Sequence, residues 1–335
     1  MNEFEEIRKS KGKKFLFFLE KSPYERDYVK YEQLRMDIWG DPNDYLSNPR
    51  NMAAENYFNE GSSLFMGIYT QDEKGKIQQD PDHFIGFAYG YVGVQDKNTA
   101  YQNAGNLNFY SQYAAIKKEY RNLSLGIRLK EFQRKIVRTV LSIDSMTCTY
   151  DPLTGVNAYR NIHKLGMDVL SYKPSFYKEF SGFLNRPDIP ADRFYVMWKL
   201  SQRSKNRDFD FKKALSSGDL VINSHLEKIK GKNRNAFIEV SHKVDEEMLR
   251  SSKKVLLVEI PYDFYNMIRL TNVVEERIRK IPLDWRLRTR TAFIELFKAG
   301  YQVADFRCHI TDRRKRDFYV LEKKANAEVS HQDTA

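Results

Sequence analysis

The stretch from Asn108 to Val140 constrains this chain more than any other. "NFYSQYAAI" is rich in aromatic and small residues and reads as a strand. "KKEYRNLSLG" then brings charge, an asparagine and a glycine, as a turn requires. From Leu125 onward Leu125, Leu129, Phe132, Ile136 and Val140 recur at near-helical spacing, so a helix begins inside that turn. A strand that runs through a short turn into a helix exposes the helix's first N–H groups, and the helix dipole favours an anion there. Lys117, Lys118 and Arg128 lie close in sequence, and Gly126 permits close approach, so a diphosphate would fit. One glycine after a strand is equally an ordinary turn, and the wider pattern has to decide.

That pattern alternates in a definite order. "KKFLFFL" is a strand, and "SPYERDYVKYEQLRMDIW" a helix with Ser22 at its cap and Pro23 at its first position. "NMAAENYFNEG" is a short second helix closed by Gly61, and "SLFMGIYT" and "HFIGFAYGYVGV" are strands about a polar, turn-rich insert. After the central strand, turn and helix come "SMTCTYD" as a strand, "TGVNAYRNIHKLG" as a short helix and "DRFYVMWKL" as a strand. The order is that of an α+β layer fold, a mainly antiparallel sheet flanked by helices, over residues 1–200. Residues 201–252 are charged and irregular and read as a connecting region. Residues 253–325 restart with "KVLLVEI" as a strand and "DFYNMIRLTNVVEERIRK" as a helix that Pro282 interrupts. "LDWRLRTRTAFIELFKAG" is then a second helix, followed by two strands. This ending echoes residues 145–200: both helices close on Lys-x-Gly, and both last strands carry an aromatic pair, "RFYV" and "DFYV". Residues 326–335 lack apolar periodicity and read as a loose tail.

Within this order Arg121, Ser124 and Gly126 occupy the marked positions of an Arg/Gln-x-x-Gly-x-Gly/Ala turn after the fourth strand. In that respect the chain resembles the GNAT-type N-acetyltransferases. It is similar in particular to a branch with a long C-terminal extension, through "FIGFAYGYVG", "EYRNLSLGIRLKEFQR", "TYDPLTGVNAYRNIHKLG", "DRFYVMW", "VEIPYDF" and "LDWRLRTRTAFIELFKAGYQVADF". The resemblance implies a GNAT-like fold with a C-terminal α+β extension, expected to be a partial second half of the same kind. It implies acetyl-CoA or another acyl-CoA as co-substrate. Backbone groups of Ala114, Ala115 and Ile116 would then pair with the pantetheine arm. Arg121, Asn122, Leu123, Ser124, Leu125, Gly126, Ile127 and Arg128 would hold the pyrophosphate, with Asn157 beside the cofactor arm or capping its helix. Ser124 departs from glycine, and a serine follows the same turn where its φ is negative.

Acyl transfer to an amine needs a base or water chain for the amine proton and an acid for the departing thiolate. Many members of the family use a tyrosine two residues before the lysine of "KLG", where this chain has Ile162. Tyr150 at the strand end is the first substitute, with Tyr159 and His163 on the helix as others. Without one of them the chain is an acyl-CoA-binding protein that has lost catalysis. The expected acceptor is an amine of a small molecule. Trp285, Arg286, Arg288 and Arg290 are candidates to meet an acidic group on it, or else form a solvated helix face.

Other chemistries find no pattern. His83, His163, His225, His242, His309 and His331 are scattered without metal-ligand spacing, so no metal is expected. Cys148 and Cys308 stand far apart and form no CxxC pair, and Cys148 reads as a buried thiol. The net charge of +11 admits an anionic partner, and "RKSKGKK", "KIKGKNR" and "DRRKR" interleave with tyrosines. No helix-turn-helix, zinc finger or RNP-like string accompanies these clusters, so nucleic acid is not the expected partner. No apolar run approaches the length of a membrane span and "MNEFEEIRKSKGKKF" has no apolar leader core, so no membrane and a cytoplasmic location are expected.

Overall fold

The computed structural model describes residues 4–42, 44, 46–58, 63–177, 183–202, 211–311 and 314–324. In chain order its elements begin with β1 (Glu5–Ser10), β2 (Lys13–Leu19), α1 (Val29–Trp39), α2 (Pro49–Ala53), β3 (Ser63–Thr70), β4 (Phe84–Val94) and β5 (Leu107–Ile116). Next are α3 (Leu125–Val140), β6 (Ser145–Tyr150), α4 (Gly155–Ala158), which continues as a π-helical turn over Tyr159–Lys164, β7 (Asp168–Tyr177) and β8 (Ala191–Lys199). The chain then forms α5 (Phe211–Ser216), β9 (Leu220–Ile222), β10 (Ser224–Lys230), β11 (Asn235–Ser241), α6 (Glu246–Leu249) and β12 (Val255–Ile260). It closes with α7 (Phe264–Leu270), α8 (Glu276–Arg279), α9 (Ile281–Lys298), β13 (Tyr301–Ile310) and β14 (Lys315–Lys323). This is the mixed α+β architecture that the element order predicts, with a further sheet in the C-terminal part.

The described residues cluster into two compact units, divided inside β6 between Thr149 and Tyr150 and inside β8 between Phe194 and Tyr195. In the first, strands neighbour one another in the order β1-β2-β3-β4-β5-β6-β8. Pairing from β1 to β5 is antiparallel, and β5 meets β6 in parallel. β2 is apolar on both faces, and Phe15 and Phe17 have no exposed surface. Helix α3 buries Leu125, Leu129, Phe132 and Ile136, the stripe its spacing requires, while Val140 at its end stays exposed. Phe18, Tyr31, Phe65 and Phe87 build the core beneath α1.

In the second unit β7 lies beside β8, a four-stranded sheet runs β13-β14-β12-β9, and β10 and β11 form a hairpin. The echo in the sequence has a counterpart in topology: β8 neighbours both β6 and β7, and β14 neighbours both β12 and β13. Each set is strand, helix, strand, strand, with the last strand in the middle. Gly166 and Gly300, which follow the two helices, both adopt positive φ (68° and 83°), as the left-handed cap of a helix requires. The helical segment Tyr159–Lys164 packs on β13, and α9 packs on β12 and β13 as well as on β7.

Several local readings need correction. The first helix does not begin at Ser22: Ser22 accepts from Tyr24 N–H and donates to Asp27, which holds a 3-10 turn at Glu25–Tyr28 ahead of α1. Pro282 does not interrupt a helix but sits in the first turn of α9, where its missing N–H is harmless. β1, β7, β9, β10 and β11 carry too little apolar alternation to be recognised. β7, which holds Pro174, is the last strand of its row, where a missing donor is tolerated. The closure at Gly61, residues 203–210 of the connecting region and the tail from 326 lie outside the described residues.

Candidate functional site

In the first unit the strand, turn and helix of the opening stretch come together as a turn with open donors. β5 pairs with β4 along its length, through a bulge between Tyr89 and Gly90 that leaves Gln112 without a counterpart. On its other side the register with β6 covers only Phe109↔Met146 and Tyr110↔Thr147. Beyond Tyr110, β5 has no registered partner there among the described residues, and Ala114 to Ile116 belong to this open edge. The chain then makes a 3-10 turn at Lys118–Tyr120 and enters α3 at Leu125.

Asn122 and Ser124 both lie in the left-handed region, at φ 63° and 57°. Ser124 therefore does not meet the turn with the negative φ that suits a serine. The position is one that glycine fills without strain, and the serine adopts the glycine conformation. Ser124 is the N-cap residue of α3, yet its hydroxyl caps nothing. Among the described residues no group accepts from the backbone N–H of residues 122–127, and the first intrahelical bond runs from Arg128 N–H to Ser124 O. Six consecutive N–H groups on a turn whose Asn122 and Ser124 are exposed, at the positive end of a helix of 16 residues, form a cluster of donors that suits a diphosphate. Arg121 is exposed, and its Nε reaches Ile116 O at 3.5 Å.

In the second unit the three proton-transfer candidates have different surroundings. Tyr150 is buried, with its ring edge-on to Phe194 and its hydroxyl 3.3 Å from that of Tyr319. Tyr319 gives its proton to Pro152 O at 2.9 Å, so along this chain Tyr150 is the donor to Tyr319. Tyr159 and His163 are brought together: their rings stack with centroids 4.9 Å apart, and Tyr159 is exposed. His163 Nδ1 lies 3.0 Å from Asp305 Oδ1 on β13, a partner that sequence order could not indicate. Ile162 is buried and supplies no proton. Asn157 lies inside the helix rather than capping it, and donates from Nδ2 at 3.0 Å to Oγ1 of Thr154, the N-cap residue. Cys148, in the first unit, is the buried thiol expected.

The arginines of α9 are not a solvated face. Trp285 and Arg286 are fully buried, and Trp285 Nε1 donates to Glu239 O. Arg286 Nη2 meets Asp151 Oδ2 at 2.5 Å, its guanidinium lies over the ring of Phe264, and its Nε and Nη1 have no hydrogen-bond partner among the described residues. Arg290 grips both carboxylate oxygens of Asp192, at 2.6 and 2.9 Å, and Tyr172 donates to the same group. Arg288 donates to Ser241 O and Ser241 Oγ.

No protein-family model matches the chain, and no curated protein does either. Among solved structures it is similar to Arabidopsis thaliana NAA60 in complex with a bisubstrate analogue, at 12% identity and a TM-score of 0.40, over 55% of this chain and 98% of that one. It is similar to Arabidopsis thaliana Naa50 in complex with the bisubstrate analogue CoA-Ac-MVNAL, at 10% and 0.35, over 54% and 97%. An acetyltransferase of the GNAT family from Streptococcus pneumoniae is similar at 11% and 0.38, over 54% and 97%. Each of these likenesses spans a little over half of this chain.

Proposed function

We propose that the chain is an acyl-CoA-dependent N-acyltransferase that transfers an acetyl group to an amine of a small molecule. The single observation that carries this is the turn of residues 122–127, where six backbone donors without acceptors stand at the start of α3 beside an open strand edge. The donors suit a diphosphate and the edge at Ala114 to Ile116 suits an amide-bearing arm, the two features that coenzyme A combines. Bound acyl-CoA supplies an acyl group activated as a thioester. Gly126 lets the phosphates approach, and Arg121 and Arg128 add charge. Gly126→Glu introduces both bulk and negative charge at this turn and is expected to abolish acetyl-CoA binding. Calorimetry that found equal affinity in the two proteins would remove the site.

Proton transfer falls to Tyr150, His163 or Tyr159. Tyr150 gives its proton to Tyr319, whereas His163 is oriented by Asp305 and keeps its second nitrogen for exchange. Tyr150→Phe and His163→Asn, assayed for free thiol released during a metabolite screen, separate the two. The variant that loses rate by about 10²-fold or more with unchanged CoA affinity identifies the residue. A second reading, an acyl-CoA-binding protein without catalysis, draws on the buried Ile162 and predicts CoA binding with no thiol release for any acceptor.

A further inference from the structure

Arg286 on α9 has no exposed surface, and its hydrogen bonding is unfinished. Its Nη2 meets Asp151 Oδ2, and its guanidinium lies 5.2 Å from the ring centroid of Phe264. Nε and Nη1 have no hydrogen-bond partner among the described residues. The two carboxylates nearby are engaged elsewhere. Asp151 Oδ1 accepts from Leu153 N–H at 2.9 Å, and its Oδ2 is the atom that Nη2 already meets. Both oxygens of Asp192 are held by Arg290, with Tyr172 and Ser175 N–H donating to them as well. A buried donor without an acceptor has given up water and gained nothing, and the cost is higher on a cation. Two such donors on one guanidinium point to an acceptor from outside the chain.

The guanidinium is enclosed, but its neighbours reach the surface. Arg193 is half-buried: its Nη1 stands 3.8 Å from the same Asp151 Oδ2, and its guanidinium lies 5.0 Å from the ring centroid of Tyr177. Tyr265, next to Phe264 on α7, is half-buried too, and the charges that act on it are those of Asp151, Arg193, Arg286 and Arg160. Burial pushes its phenol up to about 12, so at neutral pH it keeps its proton and is able to donate it in a hydrogen bond. Two guanidiniums thus converge on one carboxylate oxygen, with a phenol within reach of both charges. All of these residues belong to the second unit.

We propose that Arg286, with Arg193 and Tyr265 at the rim, forms an anion site that takes the carboxylate of a small organic acid. The site lies within the second unit and does not rest on the cofactor reading. A guanidinium donates in its own plane, which suits a planar carboxylate. A carboxylate also brings a single negative charge, whereas phosphate at about −1.5 to −2 meets stronger repulsion from Asp151 and Asp192.

The test is calorimetric titration of the full chain, in buffer free of chloride, with acetate, with acetamide as its uncharged match and with inorganic phosphate. Wild type is expected to bind acetate saturably with a Kd on the order of 1 mM. Acetamide is expected to bind about tenfold or more weaker, and phosphate weaker than acetate. Arg193→Gln and Tyr265→Phe leave Arg286 paired with Asp151, so each is expected to fold and to weaken acetate by about three- to tenfold. The double variant Asp151→Asn, Arg286→Met removes the buried pair from both sides and is expected to show no saturable acetate binding. Absence of saturable binding to wild type overturns the proposal and assigns the open donors to water. Equal binding of acetate and acetamide, tighter binding of phosphate, or acetate binding unchanged in both rim variants overturns it as well.

Discussion

Ser124 shows how far a single position can be read. The spacing of Arg121, Ser124 and Gly126 marks the turn, but the sign of φ at Ser124 belongs to the folded backbone and is invisible in the residue type. A left-handed L-residue costs roughly 1–2 kcal/mol, which the surrounding strand and helix must offset. Asp317 is another residue that its neighbours define. Its carboxyl is pushed up to about 6, first by burial, with Glu239 and Glu259 adding to the effect and Cys308 and Lys315 opposing it. The ordinary value is 3.8, so between about pH 4 and 6 the native state holds a proton that the unfolded chain releases. This group's contribution to stability therefore falls as pH rises through that window, and the loss is complete above it. Asp317→Asn is expected to raise stability by about 1–3 kcal/mol near pH 7 and by little near pH 4. Urea unfolding at both pH values checks this, and an equal gain at both would refute it. Nothing in "RRKRDFYV" announces a buried carboxylate, since the aspartate follows a run of basic residues in sequence and is enclosed only when β14 pairs with β13.

The buried face of a helix is legible where one side is apolar and the other wet. α3 is of this kind, and its stripe fell where the spacing put it. α9 is not: its buried side includes Trp285, Arg286, Thr289, Ala292, Phe293 and Leu296, and an arginine inside that stripe makes a core face look solvated. Arg286 reaches across to Asp151 directly after β6, so helix and strand end are joined by a buried charge pair. Breaking a buried pair from one side strands the other charge. Arg286→Met is expected to destabilise the protein by about 3–5 kcal/mol, and adding Asp151→Asn to recover a large part of that loss. Thermal or urea unfolding of the two singles and the double decides it. If the losses simply add, the pair is not coupled. The hairpin of β10 and β11 was missed for a related reason, since "SHLEKIK" and "NAFIEVS" alternate weakly and expose Leu226 and Phe237.

The division of the molecule has consequences for what can be removed. A boundary at residue 200 follows from the order of elements, which completes one α+β layer there before the charged stretch begins. Contacts place residues 150–177 and 188–194 in the same compact unit as the described residues after 204. Phe194 shows why: its ring packs at 4.8 Å from Phe293, 5.4 Å from Tyr319 and 6.0 Å from Phe297, all from the C-terminal part. Tyr172 stacks on Phe293, and the hydroxyl of Tyr150 meets that of Tyr319. Each such aromatic pair is worth about 0.5–1.5 kcal/mol beyond its buried area. Asp192 and Asp305 likewise lie on opposite sides of residue 200 and find their partners, Arg290 and His163, across it. A chain ending at residue 200 exposes Tyr150, Tyr172 and Phe194 together and leaves Asp151 without Arg286 and Asp192 without Arg290. It is expected to be aggregated or to bind an apolar dye strongly, and to show no cooperative unfolding. The full chain is expected to unfold cooperatively and to bind one CoA, since no Arg-x-x-Ser/Gly-x-Gly turn precedes β12. Dye binding, calorimetric unfolding and CoA titration of the two chains measure this. A soluble truncated chain that unfolds cooperatively and binds CoA as tightly as the full chain would show that the C-terminal unit is dispensable.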